Sequence, residues 1–571
     1  MNPLSLDFRN TNALWGSVLA ETLVRCGVTH AVVSPGSRST PLTMALARHA
    51  AIEAVPVLDE RSAAFFALGL AKRLHRPVVL VCTSGTAGAN YYPAVIEAHE
   101  SRVPLLIITA DRPPEMRDCS SGQTIDQQKL FGGYTVAYHE FAVPEPSLGR
   151  LRYLRQMLAW AVGRTAEGPV HLNAPFRDPL PPAPDDSCAA LESGWAPDFF
   201  DHLEPADLAP ARIEFRQKKT TMRGLIVAGP ASPADPAEYA ARVATLSHAL
   251  GWPILADALS PLRHHGGEVV TCYDAILRND ALARDLTPRA VLCLEGWPTS
   301  KVLRSWLEGS GAGVVLVAPG GANRDALHGR TRHLAGFADQ LTAEAAPPAD
   351  ASYRDAWHRA ESAARLFFDQ ALASEDLLFE PKVAWRLASH LPEGTPLFVS
   401  SSMPVRDLEY VWPATDRGHR LFFNRGANGI DGTLSTALGI AHGGAPTVLL
   451  TGDLALLHDA NGFLTVPRLR GSLTIVLIDN NGGGIFEHLP VAQYDPPFEA
   501  YWATPQQVDF ARLCAAHGVE HVPVIDWNHF TGLVSTLPAQ GVRVLHVRTN
   551  RKRDAADRKA LFAAAARAVS G

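Results

Sequence analysis

The chain has 571 residues, too many for one core and enough for about three or four domains. Apolar residues make up 47% and charged residues 19%, the balance of a soluble globular protein. A net charge of −6 gives no global attraction for nucleic acid or an anionic membrane, so neither partner is expected, although an acidic ligand needs only a few local cations. The seven cysteines (Cys26, Cys82, Cys119, Cys188, Cys272, Cys293 and Cys514) are dispersed and form no C-x-x-C pair. That pattern fits a reduced cytosolic compartment better than a disulfide or zinc scaffold. The N-terminus, MNPLSLDFRNTN, lacks a basic-then-apolar signal pattern. Apolar runs such as Val78 to Val81 are of strand length, far below the ~18 residues of a membrane span. A cytoplasmic protein without membrane insertion is expected.

In chain order, residues 1 to about 180 read as repeated strand, turn and helix. Thr29 to Val33 is a buried strand, Ser34 to Ser37 a turn, and Ser39-Thr40-Pro41 the cap of a helix. A strand to about Leu58, a helix from Arg61 to about Leu74, a strand from Pro77 to Cys82, the Ser84-Gly85-Thr86 turn and a strand from Pro104 to Thr109 follow. This alternation predicts a doubly wound, mostly parallel sheet. The proline-rich Pro175 to Pro184 reads as the start of a linker. A second α/β unit begins near Arg223 without a G-x-G-x-x-G fingerprint, so a dinucleotide site there is weakly supported. A second break, Ala345 to Ser352, precedes the last α/β unit. Near the C-terminus Arg548, Arg551, Lys552 and Arg553 read as a solvated loop between a strand and an Ala-rich helix; without aromatic interleaving they do not make a nucleic-acid surface.

The most informative stretch is Thr451 to Pro490. A buried strand ends at Gly452-Asp453, and after a helical segment a second strand ends at Asn480-Asn481-Gly482. These ends belong at the carboxyl edges of neighbouring parallel strands, where open α/β sheets bind ligands. The Asp453 carboxylate, the Asn480 side-chain oxygen and the Gly482 carbonyl are hard donors suited to Mg²⁺, with a diphosphate completing the shell. Either piece alone would be an ordinary turn.

This segment resembles the thiamin diphosphate signature, with Leu454 where many relatives carry a second glycine. With SPGSRSTPL (Ser34 to Leu42), TSGTAGANYYPAVIEA (Thr83 to Ala98), ADRPPE (Ala110 to Glu115) and NRGANGIDG (Asn424 to Gly432), the chain resembles one family of the superfamily. That family is the menaquinone-pathway 2-succinyl-5-enolpyruvyl-6-hydroxy-3-cyclohexene-1-carboxylate synthases (MenD). The resemblance implies an α/β fold of three doubly wound, mostly parallel-sheet domains: a pyrimidine-binding domain at 1–185, a central domain at 205–345, and a diphosphate- and metal-binding domain at 355–571. It implies thiamin diphosphate with Mg²⁺ or Mn²⁺, and a homodimer or homotetramer with active sites at the subunit interface. The implied reaction is decarboxylation of 2-oxoglutarate and 1,4-addition of the succinyl semialdehyde unit to isochorismate. The alternative is another thiamin diphosphate-dependent 2-oxo acid decarboxylase or an acetohydroxyacid-synthase-like ligase.

Residue by residue, Glu60 matches the cofactor-activating glutamate, although alone it reads as a helix N-terminal acid favoured by the macrodipole. Ile430 matches the bulky residue that supports the bent cofactor, and Gly452, Asp453, Leu454, Asn480, Gly482, Gly483 and Ile485 match the diphosphate and metal loops. Two dicarboxylate substrates call for arginine forks. Arg38, Arg112, Arg406 and Arg425 are the motif arginines, all expected in turns beside strand ends. Ser37, Gln123 and Ser402 are expected to add neutral hydrogen bonds, and Phe486 and Leu489 to form an apolar wall. Lys301 resembles a lysine reaching in from the central domain; Val302 follows where relatives are expected to carry a second basic residue.

Overall fold

The computed structural model describes residues 6–204, 213–215, 223–320, 323–343 and 351–569. The chain forms two compact units: residues 1–208, 424–444 and 458–471 make one, and 209–423, 445–457 and 472–571 the other.

The first unit is built on six strands, β1 (His30–Val33), β2 (Glu53–Pro56), β3 (Val78–Cys82), β4 (Leu105–Asp111), β5 (Ala137–Glu140) and β6 (Val170–Pro175). They lie in the order β2-β1-β3-β4-β6-β5, every pair parallel. Strands β3, β4 and β6 are buried along their whole length, which is why they read as unbroken apolar runs rather than as alternation. Helix Glu60–Leu74 opens on Asp59, whose carboxylate accepts from the Ser62 amide at 3.2 Å. It packs against helix Thr433–Ala441 through paired glycines. A Cβ on Gly69 would lie 2.1 Å from the Thr436 carbonyl, and one on Gly439 2.1 Å from that of Phe66. Residues 424–444 are thereby drawn into this unit.

Three local expectations change. Ser39 precedes helix Thr40–Arg48 but its hydroxyl donates to the Gly36 carbonyl at 3.0 Å instead of capping the helix. Strand β2 ends at Pro56, leaving Leu58 65% exposed. The proline-rich stretch is tied down: the side-chain amides of Asn10 and Asn12 donate to the Arg177, Pro179, Pro181 and Ala183 carbonyls at 2.8–2.9 Å.

In the second unit β7 (Ile213–Phe215) pairs in parallel with β14 (Leu341–Ala343), and two larger sheets carry the core. One runs β10-β9-β8-β11-β12-β13, from β8 (Gly224–Ala228), β9 (Ile254–Ala256), β10 (Val269–Val270), β11 (Ala290–Leu294), β12 (Gly313–Ala318) and β13 (Arg330–Ala335). The other runs β16-β15-β17-β18-β20-β19, from β15 (Pro396–Val399), β16 (Arg420–Phe423), β17 (Thr447–Gly452), β18 (Ser472–Asp479), β19 (Glu520–Pro523) and β20 (Gly541–Arg548). All their pairings are parallel. Residues 345–350 of the second expected break lie outside the described residues, and Ala351 opens a helix to Ala373. Among the described residues no helix is long and apolar enough to cross a membrane.

The basic cluster after β20 is not a solvated loop. Asn550 caps helix Arg551–Ala568, and Arg551, 7% exposed, pairs with Glu487 at 2.9 Å and with Glu499 while donating to the Asn481 carbonyl at 2.7 Å. Arg551 binds the loop after β18 to the last helix, whereas Arg553 pairs with Asp554 in its own helix and Arg548 is exposed at the end of β20.

Candidate active site

In the second unit, β17 and β18 are neighbours with Gly452 opposite Ile478, so Asp453 and Asn480 emerge side by side at their carboxyl ends. Asp453 is 5% exposed. Its Oδ1 accepts from the Leu454 amide and its Oδ2 from the Gly482 amide, both at 2.7 Å. Burial pushes its carboxyl up to about 7 against those hydrogen bonds. The Asn480 amide nitrogen donates to Glu380 Oε1 at 2.7 Å, whereas its Oδ1 is buried and has no hydrogen-bond partner. A buried amide oxygen without a donor is costly, and a divalent cation would satisfy it. Gly482 has φ +127°, and a Cβ there would lie 2.3 Å from the Ala503 carbonyl; only glycine fits this turn. Gly483 is tied to the same carbonyl at 2.7 Å. A buried carboxylate, an orphan amide oxygen and a backbone carbonyl therefore fit a hard cation.

In the first unit the carboxyl ends of β1, β3 and β4 gather Arg38, Arg112 and Gln123. Arg38 is 7% exposed, donates to the Phe176 carbonyl at 2.9 Å and lies 3.7 Å from Asp178; burial lowers its pKa. Its amide donates to Thr83 Oγ1 at 3.2 Å. Arg112 donates to Ser84 Oγ at 2.6 Å and to the Gln123 carbonyl at 3.2 Å. Gln123, at φ +55°, returns its side-chain amide to the Ser84 carbonyl at 3.1 Å. Ser37 is exposed, its carbonyl accepting from Thr40. Glu60 is the first residue of its helix, half-buried. Arg425 and Ile430 lie in the loop after β16, whose Gly426 and Ala427 amides donate to the buried Glu97 carboxylate at 3.1 and 2.8 Å.

Three family models match in series. "Thiamine pyrophosphate enzyme, N-terminal TPP binding domain" matches residues 15–130, "Middle domain of thiamine pyrophosphate" 206–399, and "Thiamine pyrophosphate enzyme, C-terminal TPP binding domain" 408–547. The 2-succinyl-5-enolpyruvyl-6-hydroxy-3-cyclohexene-1-carboxylate synthase of Microcystis aeruginosa is 52% identical over 557 residues, covering 96% of this chain and 98% of the relative. That of Gloeothece citriformis is 50% identical over 568 residues, covering 97% and 98%. The chain belongs to this synthase family. It is a thiamin diphosphate-dependent enzyme. Benzoylformate decarboxylase from Polynucleobacter necessarius, 16% identical with a TM-score of 0.62 over 94% of this chain and 98% of that one, shares the fold.

Within the synthase chain, Arg406 departs from expectation: it lies inside helix Met403–Val411, not in a turn. Pro404 opens that helix early, and Arg406 folds back onto the Ser402 carbonyl at 2.6 Å. Ser402 itself has φ +75°, a conformation costing about 1–3 kcal/mol and characteristic of functional turns. Lys301 begins helix Lys301–Ser310 and is exposed. Ile485 and Phe486 are half-buried in the short 3₁₀ turn Gly484–His488, and Leu489 is 37% exposed. Sequence reasoning passed over Glu380, Asp407 and Arg558. Glu380 begins a helix and reads as a dipole acid; Arg558 lies in an Ala-rich helix and reads as solvated.

Proposed function

We propose that this synthase decarboxylates 2-oxoglutarate and adds the succinyl semialdehyde unit to isochorismate in a 1,4 sense. The products are 2-succinyl-5-enolpyruvyl-6-hydroxy-3-cyclohexene-1-carboxylate and CO₂, a step of menaquinone biosynthesis. The carrying observation is half-identity, over nearly the whole chain, to relatives named for that product.

Thiamin diphosphate, when bound, supplies the nucleophilic carbon and the electron sink for decarboxylation. Asp453, Asn480 and Gly482 would hold Mg²⁺ or Mn²⁺, with Gly452, Leu454, Gly483 and Ile485 around the diphosphate. Ile430 would pack against the bound cofactor. Glu60 holds and returns the proton at the aminopyrimidine ring nitrogen. Arg38, Arg112, Arg406, Arg425 and Lys301 bind substrate carboxylates, with neutral hydrogen bonds from Ser37, Gln123 and Ser402. Phe486 and Leu489 keep water from the reacting carbon. Cationic donors bind the carboxylates that survive, while the one to be lost needs apolar surroundings.

The working division is 1–185 for the pyrimidine, 205–345 for the central part, and 355–571 for diphosphate and metal. The enzyme works in the cytoplasm as a homodimer or homotetramer, Glu60 of one subunit acting on cofactor held by its partner. Purified protein with thiamin diphosphate and Mg²⁺ should consume 2-oxoglutarate and isochorismate together and give a product with their summed mass minus CO₂. Turnover of 2-oxoglutarate indifferent to isochorismate would leave only the general decarboxylase reading.

A further inference from the structure

We propose that Glu380 is a positioning residue that sets which end of the Asn480 carboxamide faces the divalent cation, and that the Arg558–Asp407 pair holds Glu380 to that task. This rests on reading Asp453, Asn480 and Gly482 as the cation ligands. A carboxamide is nearly symmetric in shape, yet only its oxygen can ligate; its nitrogen carries two donors and no useful lone pair. Something must therefore distinguish the two ends. An ionised carboxylate accepts only, and Glu380, 2% exposed, places Oε1 2.7 Å from Asn480 Nδ2. Turned over, the amide would bring oxygen against oxygen there and aim its N–H₂ at the cation. The orphan Oδ1 is thus the counterpart of the bond that Glu380 makes.

Glu380 is fixed from several directions. Its Oε2 accepts from Arg558 Nη2 at 2.9 Å, and Thr549 Oγ1 donates to Oε1 at 3.3 Å. Its backbone amide donates to Asp554 at 3.1 Å. Arg558 is itself locked by a bidentate pair with Asp407, at 2.8 and 2.9 Å. Its Nη1 also lies 3.1 Å from His488 Nε2, in the turn that follows the Gly482–Gly484 loop. Gly484 keeps the corner open, since a Cβ there would come within 2.7 Å of Asn480 Nδ2. One guanidinium thus ties together the residue that orients the ligand, the helix bearing Arg406 and the loop bearing Gly482.

The test uses the full chain with thiamin diphosphate and Mn²⁺ as the probe, free Mn²⁺ being read by electron paramagnetic resonance. In Glu380→Gln, Arg558 claims the new amide's oxygen, and the remaining N–H₂ attracts the Asn480 oxygen away from the cation. The Mn²⁺ dissociation constant should rise about 10–100-fold, as for other outer-shell partners of metal ligands. The double variant Glu380→Gln with Asn480→Asp reverses the hydrogen bond: the amide donates to one carboxylate oxygen and the other ligates. It should recover most of the affinity, whereas Asn480→Asp alone, which sets a carboxylate against Glu380, should bind Mn²⁺ more weakly than the double variant; a merely structural role for Glu380 would reverse that order. Wild-type affinity in Glu380→Gln, or a double variant as weak as the single one, overturns the positioning role. A wild-type protein that binds no Mn²⁺ removes the ligand reading and the proposal with it.

Discussion

Arg112 is half-buried and Arg558 buried, and their guanidinium groups are satisfied in opposite ways. Arg558, in the second unit, is neutralised by Asp407 and Glu380, each within 2.9 Å. Burial pulls its pKa down, but the two carboxylates more than offset this and hold it above its ordinary value. Arg112, in the first unit, donates its hydrogen bonds to a hydroxyl and a backbone carbonyl, and among the described residues it makes no ion pair. Its positive charge is therefore still available to a carboxylate ligand. Glu60 is the anionic equivalent, with no ion pair among the described residues. Arg117, a few positions from Arg112, is the contrast within one unit, paired with Asp111 and Glu140 at 3.0 Å. Compensated charge fixes structure, and on the proposed reading the uncompensated charges of Arg112 and Glu60 serve ligand and proton.

The largest expected effect falls on an uncompensated group. Glu60→Gln should lower kcat by about 10²–10⁴-fold, the usual worth of a positioned acid or base, while calorimetry finds thiamin diphosphate still bound. Because no described residue is paired to this carboxylate, the melting temperature should hardly move; an unfolded or fully active variant would break the distinction. Arg558→Ala should do the reverse. It strands two buried carboxylates, at a cost of about 3–5 kcal/mol. For a chain of several units that loss is better read from hydrogen exchange than from a single melting curve, and the protection of helix Arg551–Ala568 should fall.

The same contrast explains what could be read from the sequence. The pair Asp453 and Asn480 was legible because each ends a strand and a parallel crossover separates them, so local pattern fixes their meeting. The three parallel sheets were legible from apolar runs such as Leu105 to Ile108. Glu380 and Arg558 were not: they are 178 positions apart, and each looks locally like an exposed helix charge. Nor does any local signal show that Gly69 and Gly439 let two distant helices touch, which carries residues 424–444 into the first unit while 445–457 join the second. Arg406 was misplaced because proline at a first helical turn looks the same in sequence as proline in a loop. Arg551 was misplaced because its two acidic partners lie in a separate loop.

Substrate affinity sharpens the contrast at smaller amplitude. Arg112→Gln keeps a donor for Ser84 but removes the free charge, so KM for the dicarboxylate it serves should rise about 10–100-fold, matching the ~1.5–3 kcal/mol of a charged hydrogen bond. kcat and stability should change far less, and a fall in melting temperature of the kind expected for Arg558→Ala would mean that Arg112 is structural after all.

The smallest effect belongs to a half-exposed cluster in the first unit, where His442 Nε2 meets Glu53 at 2.7 Å and Arg470 pairs with the same carboxylate. Burial lowers the His442 pKa, although its hydrogen bond to Glu53 works against that. A histidine whose folded pKa lies below its unfolded value of about 6.5 favours folding fully above that value. Its contribution is lost as pH falls through the lowered folded pKa. Glu53 is one-quarter exposed and Arg470 almost two-thirds, so solvent screens the cluster and the contribution should stay below about 1 kcal/mol. His442→Asn should therefore flatten the acid-side loss of protection in helix Thr433–Ala441 below neutral pH, leaving stability at pH 8 within that margin. A steeper acid loss would mean that the Glu53 carboxylate outweighs burial and that the protonated imidazole is the favoured form, a compensated pair of the Arg558 kind.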